Sequence, residues 1–187
     1  MHRHCGLLMV AVCAVLLSAA PLQHAALDVP KDIEVPTGCK LLFTLEGHGV
    51  QVYKGAANQA GQLEWVFEAP IAQLTDGKSS KQEHDEAESL GYHYEGPSWE
   101  GLDGSKVVRD KDVPVKSAAS PHPDRDIPWL LIKVKADEGP TGQFSPVAYV
   151  QRINTHGGKA PSRAPSRAGT KVAVPYSATY GFYGKAE

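Results

Sequence analysis

Punctuation constrains this chain more than any other feature of its sequence. From Lys40 onward, short runs rich in Val, Ile, Leu, Phe and Tyr are cut every few residues by Gly, Pro, Asn or Asp, and no window sustains a helical period. A chain so patterned has one economical way to bury its apolar side chains, which is to alternate them across strands and fold the strands onto one another. The runs predict strands near Lys40 to Leu45, Gly49 to Lys54, Leu63 to Ala69, Ala72 to Thr75, Gly91 to Tyr94, Lys106 to Arg109, Trp129 to Ala136, Val147 to Asn154 and Thr179 to Tyr183. The expected fold is therefore all-β: a single-domain β-sandwich or barrel of about eight to ten short, mostly antiparallel strands.

The N-terminus has a different character. Arg3 is its only firmly charged side chain, and the apolar run from Leu7 to Ala20 ends at Pro21. That is the layout of a secretory signal, and the run falls short of the roughly 20 apolar residues that a membrane-spanning helix needs. Residues 1–26 are read as a signal peptide and 27–187 as one β-rich domain, with the mature chain starting near Leu27. No transmembrane anchor is expected after processing, and the destination is secreted or periplasmic. Cys13 lies behind Val10, Ala11 and Val12, which does not match the small-residue sequence required for lipoprotein processing.

Without residues 1–26 the chain keeps 18 basic against 21 acidic side chains, a formal charge of −3. Nucleic-acid binders concentrate positive charge to replace phosphate counterions, so nucleic acid is excluded as a partner. Cys39 is then the sole cysteine, and is expected to be a buried thiol.

Two of the strand runs are informative in detail. Pro128 to Ala136 starts apolar and then alternates, Ile132 and Val134 against Lys133 and Lys135, as in a strand buried at one end and half exposed at the other. In Val147 to Ile153 the alternation sets Gln151 and Arg152 on opposite faces, so at least one of them needs a polar partner if the strand is central. Two stretches predict surface excursions. Lys78 to Glu88 has no large apolar residue, and Lys159 to Arg167 repeats Ala-Pro-Ser-Arg in tandem, bringing Lys159, Arg163, Arg167 and Lys171 toward solvent.

Candidate chemistry gathers in GYHYEGPSWEGLDGS, residues 91–105. In a strand His93 points opposite Tyr92 and Tyr94, with Glu100 and Asp103 close behind in sequence, so His93, Glu100 and Asp103 form the one candidate metal set. No His-x-His, HExxH or paired-cysteine motif accompanies it. Trp99, Tyr94 and Asp103 are the candidate ligand-binding residues, with Trp99 in a Pro-Ser-Trp-Glu turn as the most accessible ring. No GxSxG elbow or P-loop occurs. Gly47-His48-Gly49 leads into a strand rather than a helix, so it is no dinucleotide loop, and no cofactor is expected.

Four blocks in order, GHGVQVYKG near 47, GYHYEGPSWEGLDGS near 91, IPWLLIKVKA at 127 with YVQRINTHGGKAP at 149, and VPYSATYGFY at 174, give the chain its resemblance. Together it resembles the exported bacterial and fungal proteins grouped as domain-of-unknown-function family 3455, over about Val35 to Tyr183. The resemblance implies an exported single domain of β-rich structure and transfers no catalytic residue. Some fungal relatives bear a malate dehydrogenase label, which this chain does not support, being too short for a dinucleotide domain plus a substrate domain. The resemblance further implies a cysteine pair where this chain has Lys54 and the Ala-Pro-Ser-Arg repeat, so one disulfide is absent here. It also implies a shorter connection than Lys78 to Glu88.

The preferred expectation is a non-enzymatic binding or envelope-associated protein, whose partner is a small ligand or an envelope component, acting through the face around His93 to Asp103. The alternative is a metal-assisted hydrolase built on His93, Glu100 and Asp103. A third is a protein that associates only with itself or the envelope.

Overall fold

A computed structural model describes residues 29–77 and 88–186. The predicted signal segment 1–26 and nearly all of the polar stretch 78–88 lie outside the described residues. Among the described residues nine strands form one antiparallel sheet: β1 (Cys39–Ala57), β2 (Leu63–Thr75), β3 (Gly91–Tyr94), β4 (Ser98–Gly101), β5 (Lys106–Arg109), β6 (Lys116–Ala118), β7 (Trp129–Ala136), β8 (Tyr149–Gly157) and β9 (Lys171–Lys185). Each strand pairs with the next in sequence except that β5 and β6 divide one edge of β7. β5 takes Val134–Ala136 and β6 takes Trp129–Leu131. β9 returns to β1, pairing Cys39 with Lys185 through Lys54 with Lys171. The sheet thus closes on itself as an up-and-down barrel with eight strand positions, the barrel branch of the expected fold, and closure removes the exposed edges that invite aggregation.

Three strands are longer than the sequence suggests. The runs on either side of Gly47-His48-Gly49 form one strand, because Gly47 and Gly49 face inward where a side chain would collide. A Cβ on Gly47 would stand 2.5 Å from Cε2 of Tyr180, so this glycine makes room for a core ring rather than a turn. Leu63 to Thr75 is likewise continuous through Pro70, which is tolerated because β3 ends before reaching its level. β4, read from the sequence as a turn, is a strand, as is the start of β9.

Alternation sorts the two faces of the wall. Leu45, Leu74, Val107, Val134, Phe144, Val150 and Phe182 fill one end of the interior, where Phe43 stacks on Phe182 at 4.7 Å and Phe144 meets that ring edge-on at 5.1 Å. The outer face carries Glu46, His48, Lys54, Gln73 and Lys135. Val66, Ile71 and Tyr92 are exposed as well. No helix among the described residues is long and apolar enough to cross a membrane.

A second, smaller cluster lies outside the barrel. A single 3₁₀ turn, Lys31–Ile33, lays Ile33 against Trp129, Leu131 and Ile153 on the outer side of β7 and β8. Gln151 faces this layer, donating to Ile33 O at 2.8 Å and accepting from the Tyr183 hydroxyl at 3.1 Å. The tandem repeat, expected as a surface excursion, is held too. Trp65 Nε1 donates to Arg163 O at 2.9 Å, and Pro165 is buried against Gly55. Lys171 pairs with Glu68 at 2.7 Å. Cys39 is a free thiol, half-buried at the start of β1 rather than buried.

Candidate functional site

The antiparallel order decides which residues meet at the other end of the barrel. The late part of β1, the early part of β2, the end of β3, the start of β4 and β7, and the late part of β8 all converge there. They enclose a cavity of about 260 Å³. A bulge completes its wall: Val52 pairs with Ala69 but Tyr53 pairs with Phe67, so Glu68 is an extra residue and the inward parity of β2 flips. The flip turns Phe67 inward beside Tyr53, ring centroids 5.8 Å apart, where 47% of Phe67 remains exposed and marks the opening to solvent.

Deeper in, His93 lies flat on Trp99, centroids 4.4 Å apart and planes 10° from parallel, with the Tyr180 ring edge-on at 5.2 Å from His93. Trp99 is fully buried and His93 is 3% exposed. A carbonyl oxygen only accepts, so the 2.8 Å contact between His93 Nδ1 and Ser98 O places the proton on Nδ1 and leaves Nε2 bare. Burial drives the imidazole pKa down to about 3; the bond to Ser98 opposes this, and the charge on Arg152 adds to it. The ring is neutral throughout the physiological range.

Arg152 is an inward residue of β8 and 8% exposed, yet among the described residues it forms no ion pair. Its Nη2 donates to Pro128 O at 2.9 Å, and its Nε is buried without a partner. Tyr176 and Tyr180 share a hydroxyl–hydroxyl bond of 3.0 Å. Burial pushes the Tyr53, Tyr176 and Tyr180 hydroxyls up from the ordinary phenol value, with the charge of Arg152 acting in the opposite sense on all three. The Tyr53 hydroxyl donates to Gly158 O at 2.7 Å. A neighbouring recess of about 420 Å³ shares Tyr53, Ile127 and Pro128 with the cavity and has Asp126 and Lys159 on its far side.

The residues singled out from the sequence are split by this architecture. His93 and Trp99 point inward and line the cavity, and Trp99 is buried rather than accessible because it sits in a strand and not a turn. Tyr94 and Glu100 are on the outer face, where the Tyr94 hydroxyl donates to Glu100 Oε2. Asp103 is at the opposite, plugged end. Its Oδ1 accepts from Ser105 N at 3.0 Å and Ser105 Oγ at 2.7 Å, and its Oδ2 accepts from Gln143 N at 2.8 Å. These donors hold the Asp103 carboxyl below the usual carboxylate range and tie the turn after β4 to the loop that delivers Phe144. His93, Glu100 and Asp103 therefore occupy the inside, the outside and the far end of the wall, and do not converge on one point. No group of three or more His, Cys, Asp or Glu among the described residues is placed to hold a metal ion.

Gln51, Tyr53 and Tyr180 join the site without having been singled out, as does Arg152, which the sequence marked only as one of two residues in need of a polar partner. Only Arg152 left a signal, as a charge on the apolar face of a strand.

A family model described as "Protein of unknown function (DUF3455)" matches residues 36–184, which takes in all but the last residue of the barrel. No curated protein and no solved structure matches the chain.

Proposed function

The chain belongs to the family of proteins of unknown function DUF3455, and from that premise we propose that it is an exported, non-enzymatic binding protein that holds one small, largely apolar molecule in the open end of its barrel. The observation that carries this reading is the cavity of about 260 Å³ walled by Trp99, His93, Tyr53 and Phe67. An eight-stranded barrel has an interior wide enough either to be filled by side chains or to hold one small ligand, and this one does the first at one end and the second at the other. Cavities of roughly 150 Å³ accept benzene, so the space here admits a substituted ring. Export is supported by the N-terminal charge and apolar pattern.

Binding is favoured over catalysis by the composition of the wall. It includes no Ser, Cys, Asp or Glu, and the one imidazole is neutral with its N–H committed to Ser98 O. The metal-assisted alternative draws no support from residues that the wall keeps apart.

The test is ¹⁹F NMR with 4-fluorophenol and 4-fluorotoluene as probes, on the mature protein and on two variants that fill the cavity, Ile132→Trp and Leu130→Phe. The expected result is saturable broadening with the natural protein, perturbation of the Trp99 indole N–H, and loss of both in a folded filled variant. If neither probe perturbs Trp99, or the filled variants bind equally well, the cavity is not the site and the reading fails.

A further inference from the structure

The cavity wall sets one bare ring acceptor, His93 Nε2, against a larger set of unpartnered donors. Three of its lining residues carry a buried nitrogen without a partner, Gln51 Nε2, Trp99 Nε1 and Arg152 Nε, and all three atoms are donors. No lining residue is acidic, and Arg152 has no ion-pair partner among the described residues. Withdrawing a guanidinium from water is costly unless an opposite charge and satisfied hydrogen bonds compensate, and the Pro128 carbonyl and Tyr180 hydroxyl beside it supply no opposite charge.

Resting on the reading that the cavity takes a ligand, we propose that the ligand is a monoanion, a carboxylate on a compact aromatic body, with Arg152 as its counter-ion and the stacked His93–Trp99 pair as the wall for its ring. Guanidinium and carboxylate match in geometry, and the pair strengthens where water is excluded. The single cation sets the charge. A phosphate dianion seated there would leave a full negative charge among aromatic rings, whereas one carboxylate neutralises Arg152. The cavity volume sets the size, since about 260 Å³ exceeds what a bare benzene ring needs by enough for a short acidic side chain.

Isothermal titration calorimetry of the mature protein with phenylacetate, its neutral isostere phenylacetamide, and inorganic phosphate tests the proposal. The expected order is phenylacetate at least 30-fold tighter than phenylacetamide, with no measurable phosphate binding. Arg152→Met, of similar length and no charge, is expected to abolish the carboxylate preference while phenylacetamide affinity holds within threefold. Arg152→Lys retains part of the preference and guards against a misfolded Met variant. Equal binding of acid and amide by the natural protein, or a preference that survives in Arg152→Met, overturns the anion assignment and leaves the binding reading standing. Failure of both aromatic probes to bind overturns the binding reading itself, and the anion assignment with it. Phosphate binding at comparable strength refutes the monoanion.

Discussion

His93 provides the sharpest physical test of the barrel interior. In the unfolded chain its imidazole titrates near the ordinary value of 6.5, whereas in the fold burial against Trp99 and Tyr180 lowers it to about 3. Between those two values the unfolded state binds one more proton than the folded state, so stability is fully present above about pH 6.5 and is lost as pH falls toward 3. The slope is roughly 1.4 kcal/mol per pH unit for one proton, and moving from pH 7.5 to 4.5 costs roughly 2–3 kcal/mol from this residue alone. Urea unfolding followed by tryptophan fluorescence at both pH values, on the natural protein and on His93→Gln, isolates the term. Gln is chosen because it has no titration of its own, and the carboxylates common to both proteins cancel in the difference. The natural protein is expected to lose roughly 2–3 kcal/mol more than the variant across this interval. ¹⁵N spectra of the imidazole are expected to show a neutral ring protonated on Nδ1 at pH 4.5. A difference under about 0.5 kcal/mol, or a His93 ring that is cationic at pH 4.5, would refute the account of a desolvated imidazole beside a buried guanidinium.

Four further outcomes follow from the same structure. Gly47→Ala forces a methyl group into the buried Tyr180 ring, and chemical denaturation should show a loss of about 1–3 kcal/mol, as for an overpacked core. Phe144→Ala opens the plugged end and should cost about 3–5 kcal/mol, with no change in probe binding at the other end. In Asp103→Ala the amides of Ser105 and Gln143 lose their acceptor, and hydrogen exchange at those two positions should accelerate while the cavity residues keep their protection. Arg152→Met removes a buried charge that has no ionic partner, and in the absence of ligand its Tm should equal or exceed that of the natural protein.

Much of the fold lay open in the sequence because strand alternation is local. The inward parity of Ile132 and Val134, the opposed faces of Gln151 and Arg152, and the class of the fold all follow from a period of two read along a few residues. His93 and Trp99 stood out for the same reason, as an aromatic pair in a segment dense with glycine. Closure was not local. The pairing of β9 with β1 and of β5 with β7 joins segments far apart in the chain, and only that ring brings the Tyr53 hydroxyl to Gly158 O, 105 residues away. The bulge at Glu68 reverses the parity that alternation predicts and sends Phe67 to the cavity mouth, while Gly47 and Gly49, which read as a break, let β1 run on. Glu100 and Asp103 are neighbours of His93 in the chain but not in space, because one strand has two faces and two ends. Local alternation along each run settles which residues share a face, and hence that a β-structure forms with an apolar interior. Which of those residues share an enclosed space, and that Arg152 faces it without an acid, was decided only by the closing of the sheet, because burial and charge pairing are properties of the whole ring and not of any strand.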